Sequence, residues 1–134
     1  MAGYTKLNLL EVENLAATRG LPGDMQARFP GGELESSQLS ISHQVYGPNF
    51  RQPFGHSHKT QEEVYVVVAG GGKMALDDEV IDVAQWDAIR VAPEVMRAFE
   101  GGPEGIEIIA IGASPGSEEV RVDGNDPQPG WWAE

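Results

Sequence analysis

From residue 38 to residue 112 the chain is a succession of short β-prone runs, each cut off by glycine or proline. Residues 38–46 end at Gly47-Pro48, residues 62–69 at Gly70-Gly71-Gly72, residues 88–91 just before Pro93, and residues 106–111 at Gly112. Between them lie a short run at 55–58, a hairpin of 73–76 and 79–83 around Asp77-Asp78, and a run at 97–100 that meets Gly101-Gly102-Pro103. Breakers this dense suit short strands joined by turns and do not suit long helices. The expected fold class is all-β, a sandwich or a barrel. At 134 residues the chain is the size of one domain and can bury about two-thirds of its unfolded surface.

The flanks are less regular. Residues 9–18 are expected to hold a short helix, ended by Gly20, Pro22 and Gly23, and residues 25–29 a first strand stopped by Pro30-Gly31-Gly32. Residues 1–36 thus read as an irregular, partly helical extension packed on a barrel of residues 37–113. Residues 114–134 form an acidic, Pro/Gly-rich C-terminal tail in which Glu118, Glu119, Asp123 and Asp126 read as a solvated charge run. Trp131 and Trp132 stand out there, as local packing, as a lid on a pocket, or as a contact to a partner subunit.

Composition removes several function classes. The absence of cysteine excludes a disulfide framework, a thiolate metal site and a thiol nucleophile. A formal net charge of −12 disfavours phosphate backbones and anionic membrane surfaces, so neither nucleic acid nor membrane is an expected partner. No apolar run is long enough to span a bilayer, and the N-terminus lacks a signal-peptide pattern, so the expected location is the cytoplasm. Nucleophile elbow, phosphate loop and dinucleotide fingerprint are all missing; Gly70-Gly71-Gly72 follows a strand but precedes no helix, and reads as a plain turn.

The run 62–69 is apolar on both faces. Glu63, Tyr65 and Val67 share one side and Val64, Val66 and Val68 the other. One face is expected to line an interior, and the other needs a cover, either the N-terminal segment or a second copy in a homodimer. His43 shares its run with Leu39, Ile41 and Val45, which points to a core or interface role.

The one dense group of ligand-type side chains is His56-Ser57-His58 with Glu62 and Glu63. His-x-His on an extended segment puts both imidazoles on one face, and two neutral imidazoles with a carboxylate suit a divalent first-row metal. The plainer alternative is a polar loop whose histidines hydrogen-bond locally.

The pattern His56-x-His58-x4-Glu63-x6-Gly70 resembles the first conserved motif of the cupin superfamily, and residues 86–99, from Trp86 to Phe99, resemble its degenerate second motif. The resemblance covers about residues 38–112. It implies a double-stranded β-helix, the cupin jelly-roll barrel, with a single interior pocket. It places His56, His58 and Glu63 on three of the family's four metal ligands, and its spacing selects Glu63 over Glu62. The implied metal is iron, manganese, nickel, copper or zinc. Tyr65, on the face of Glu63, and Phe99, on that of Arg97, are expected to line the pocket.

Departures from the family pattern bear on the chemistry. Phe50, Trp86, Glu94 and Asp78 stand where the family has glycines, and Arg97 stands where it has a fourth, histidine ligand. A guanidinium has no lone pair to give a metal. Three readings follow: a three-ligand metal site in which Arg97 binds an anionic group of a small organic ligand; a metal-free, non-catalytic pocket with Arg97 paired to Glu63; or a vestigial site with Arg97 turned away. The first permits metal-assisted oxygenation, isomerisation or decarboxylation of a small acid, and the second a sensor or carrier.

Overall fold

Glycines determine how the strands are shared between layers. In the computed structural model, which describes residues 3–113 and 119–123, eight strands are present among the described residues. They are β1 (Met25–Arg28), β2 (Leu39–Tyr46), β3 (Phe54–His58), β4 (Glu63–Leu76), β5 (Glu79–Ala84), β6 (Ala88–Val91), β7 (Arg97–Ala113) and β8 (Glu119–Asp123). All pairings are antiparallel. One layer runs β1, β2, the second half of β7, the first half of β4, then β6; the other runs β5, the second half of β4, the first half of β7, β3 and β8.

β4 and β7 are therefore long strands that pass from one layer into the other. The turns expected at Gly70-Gly71-Gly72 and Gly101-Gly102-Pro103 are instead corners inside continuous strands. Register shifts between Val67 and Ala69 and between Gly70 and Gly72 bend β4 while it stays paired with β7. Glycine is required there by crowding. Gly70 has a φ of 68°, and a Cβ on it would overlap the Gly105 carbonyl oxygen; one on Gly72 would overlap that of Glu100.

The core between the layers is built from the inward residues of these strands. Tyr46, Tyr65, Val67, Met74, Phe99 and Ile108 are all sealed from solvent. The Phe99 ring lies 5.3 Å from that of Tyr65 and 6.0 Å from that of Tyr46. On the opposite face of the same layer, Val64, Val66, Val68 and Ile109 are only half-buried and Ile111 is exposed, so the second apolar face of β4 has no full cover among the described residues.

The helix expected over residues 9–18 is broken into a 3-10 turn, Leu9–Glu11, and a single α-turn, α1 (Leu15–Thr18), because Asn8 and Asn14 each cap a new start with their side chains. α1 packs its buried Ala16 into the main core cluster, and β1 extends the sheet beside β2. Asp77-Asp78 forms the expected two-residue connection between β4 and β5. Trp86 keeps the backbone of the glycine it replaces, with a φ of 73°. β8 lies inside the segment read as a tail. Trp131, Trp132, Glu118 and Asp126 lie outside the described residues. Among the described residues no helix is long and apolar enough to cross a membrane.

Candidate metal and ligand site

β3 and the start of β4 bring the ligand-type residues together. His56 and His58 alternate on β3 and point to the same side. Glu63 opens β4, held between Val91 of β6 and Gly112 of β7. His56 Nε2 lies 3.7 Å and His58 Nε2 3.2 Å from one carboxylate oxygen, Glu63 Oε1. The three residues can each present a ligand atom within 4.8 Å of the others. Glu62 faces the other way, exposed, and pairs with Arg90 at 3.2 Å. The choice of Glu63 over Glu62 agrees with this geometry.

Two further groups converge on the same oxygen. Tyr65 donates its hydroxyl to Glu63 Oε1 at 2.6 Å. Arg97, opposite His56 in the β3–β7 register, places Nη2 3.9 Å from it. Burial pushes the Glu63 carboxyl up, but hydrogen bonding from His56, His58 and Tyr65 outweighs it and holds the group well below the usual carboxylate range. Burial and the neighbouring Glu63 charge push the Tyr65 phenol well above its ordinary value, against the opposing pull of Arg97, so it stays a protonated donor.

Arg97 is 1% exposed. Its Nη1 and Nη2 reach the carbonyls of Pro93 and Ala92 at 3.4 and 3.2 Å, and its Nε has no partner among the described residues. The guanidinium is turned toward Glu63 and the 92–93 loop.

His56, His58 and Glu63 border a cavity of about 510 Å³. Arg97, Tyr65 and Phe99 do not border it; they are buried behind Glu63. One wall comes from the N-terminal extension, including Leu15, Leu21, Met25 and Leu34. Another is the inner face of β2, with Ser40, Ser42, Gln44 and Tyr46. The sequence reading put weight on Leu39, Ile41 and Val45 of this strand and passed over its polar residues. The usable signal was the polar residue at every second position, 40, 42 and 44, leading to Tyr46. His43 is buried on the opposite face, with Nε2 2.6 Å from Glu107 Oε2.

The donor set fits a divalent ion. Ligand atoms about 2.1 Å from one ion at tetrahedral to octahedral angles stand about 3.0–3.4 Å apart; the His58 separation of 3.2 Å from Glu63 Oε1 falls in that range and the His56 separation of 3.7 Å lies just outside it. Among the described residues His58 Nδ1 is buried without a partner.

No protein-family model matches the chain. An uncharacterised protein of Methanocaldococcus jannaschii is 34% identical over 65 residues, 48% of this chain and 52% of that protein, so the chain spans about half the length of this curated relative. Among solved structures, a cupin protein from Bacteroides fragilis superposes with a TM-score of 0.69 at 24% identity, covering 90% of this chain and 92% of that one. Streptomyces Pac13, described as a nucleoside dehydratase, superposes with a TM-score of 0.71 at 18% identity, covering 92% and 93%.

Proposed function

The chain has the cupin fold, and on that premise we propose that it binds a divalent transition metal through His56, His58 and Glu63, at the inner end of a cavity that takes a small organic ligand. The observation that carries this reading is the approach of both imidazole Nε2 atoms to one oxygen of a buried, ionised carboxylate. When bound, such an ion supplies a Lewis-acid centre. Tyr65 keeps the Glu63 carboxylate oriented through its 2.6 Å hydrogen bond. Arg97 steadies the 92–93 loop and balances the Glu63 charge from behind. It is a positioning residue in this reading, because its guanidinium is enclosed and does not border the cavity.

The test is a titration of chelator-treated protein with iron, manganese, nickel, copper and zinc, followed by thermal melting. An ion that binds the folded chain at 100 times its Kd adds about 2.7 kcal/mol, a rise on the order of 10 °C. His58→Ala is expected to abolish the shift. An equal shift in parent and variant would place the metal elsewhere. The metal-free alternative, in which Arg97 pairs with Glu63, is supported by their 3.9 Å approach and predicts no shift with any of these ions.

A homodimer belongs to the same proposal. The outer face of β4 and β7 presents Val64, Val66, Ile109 and Ile111 side by side, in register. Burial of that face against a second copy supplies its missing cover. Sedimentation of Val66→Glu as a monomer beside a dimeric parent would support it, and a monomeric parent would remove it.

A further inference from the structure

Strand β2 is inside out. Its alternate residues Ser42 and Gln44 are 5% and 7% exposed and face the cavity. Val45, on the other face, is only half-buried. A strand that turns polar side chains inward gives up apolar burial, and buried polar groups persist where they are hydrogen-bonded. Here the bonds form an open chain. Tyr46 donates to Gln44 Oε1 at 2.8 Å, and Gln44 Nε2 donates to Ser42 Oγ at 3.1 Å. The Ser42 hydroxyl hydrogen then has no acceptor among the described residues. Turning the Gln44 amide over reverses the chain and leaves the Tyr46 hydrogen without one instead. In either sense one Gln44 N–H is left for the cavity, and in the first sense the Ser42 hydroxyl hydrogen as well; Tyr46, with no exposed surface, acts through Gln44. Burial pushes the Tyr46 phenol far up, so the strip stays uncharged.

The charge around the strip is sparse. Among the described residues bordering the cavity, Glu63 is the one carboxylate and Arg19, exposed, the one guanidinium. Beside the strip β1 supplies Met25, the register partner of Tyr46, and the rest of the extension adds Leu15 and Leu21 to the cavity wall. The volume of about 510 Å³ is that of a small-molecule site.

We infer that the inner face of β2 is a recognition edge for an uncharged ring compound. The ligand presents hydroxyl, carbonyl or ether oxygens to Ser42 and Gln44, which Tyr46 orients from its sealed position, and an apolar face to the N-terminal extension. This rests on the reading of the cavity as a ligand site, and metal content measured on the same samples separates it from the metal assignment.

The test uses the full chain as purified. Two neutral probes, methyl 3,5-dihydroxybenzoate and methyl glucopyranoside, are titrated calorimetrically, with 3,5-dihydroxybenzoate as the anionic counterpart and mesitylene as the hydrocarbon one. At least one neutral probe is expected to bind, and Ser42→Ala and Tyr46→Phe are each expected to weaken it about ten-fold. Mesitylene binding and metal content are expected to stay put, while each variant loses a buried hydrogen bond worth about 1 kcal/mol and melts about 5 °C lower. Each variant removes one oxygen atom, so a folding defect in one leaves the other to decide. Neutral binding without metal sinks the metal assignment and leaves this inference standing. Failure of both neutral probes, or binding indifferent to both variants, overturns it. So does tighter binding of the anion that neither variant weakens, which would assign the cavity to anions.

Discussion

Replacing Arg97 with methionine should leave the metal-free protein almost as stable as the parent. Arg97 sits where the resemblance places a fourth metal ligand, and it is sealed from solvent. Its 3.9 Å approach to Glu63 is worth about 4 kcal/mol at an effective dielectric near 20. Against this stands the desolvation of the guanidinium, several kcal/mol, offset only in part by two long contacts to carbonyls and by none at Nε. The two terms nearly cancel, so Arg97→Met is expected to fall within about 1 kcal/mol of the parent. Glu63→Gln is not its mirror image. Glu63 without Arg97 keeps Tyr65 and two imidazoles, whereas Arg97 without Glu63 keeps a buried charge and no counterion among the described residues, a loss of about 3–5 kcal/mol. Urea denaturation of chelator-treated parent, Arg97→Met and Glu63→Gln measures both. A loss of 3 kcal/mol or more in Arg97→Met would refute the reasoning and show the ion pair to be what holds the pocket together.

Trp86→Gly is expected to stabilise the chain by roughly 0.5–1 kcal/mol in thermal or urea melts, because it relieves a left-handed backbone that costs about 1–2 kcal/mol while giving back part as chain entropy; the 70% exposed side chain gives up little packing. Gly72→Ala is expected to cost about 3 kcal/mol or more, since its Cβ would overlap the Glu100 carbonyl oxygen and lie 2.8 Å from Gly102 N; a soluble variant with unchanged melting would contradict the corner at which β4 changes layers. Tyr65→Phe should cost about 1.5–3 kcal/mol in urea denaturation through the lost bond to a charged acceptor, and an unchanged midpoint would remove Tyr65 from the Glu63 network.

The strand series and the grouping of His56, His58 and Glu63 were legible because both are local. Breakers at Gly47-Pro48 and Pro93 do end strands, and His-x-His followed by Glu63 needs only alternation and the cupin spacing to be placed. The corners were not legible, because Gly70-Gly71-Gly72 looks the same whether the chain turns back or bends through a bulge; the pairing of β4 with β7 decides it, and that partner lies far along the chain. The role of β2 was hidden for a related reason. Hydrophobic alternation identifies the core face only where the interior is apolar, and this interior holds a cavity with a polar wall. Arg97 lies opposite His56 in the β3–β7 register, and its direction depends on the carbonyls of Ala92 and Pro93, which spacing does not reveal. Residues 119–123 pair with β3 although their composition reads as tail.

The most direct measurement is the metal content, by elemental analysis, of protein purified without a metal-affinity column, beside His56→Ala prepared identically. The account predicts near-stoichiometric divalent metal in the parent and none in the variant. Metal-free parent that stays so after incubation with several dications, or a variant that keeps its metal, would contradict the three-ligand site.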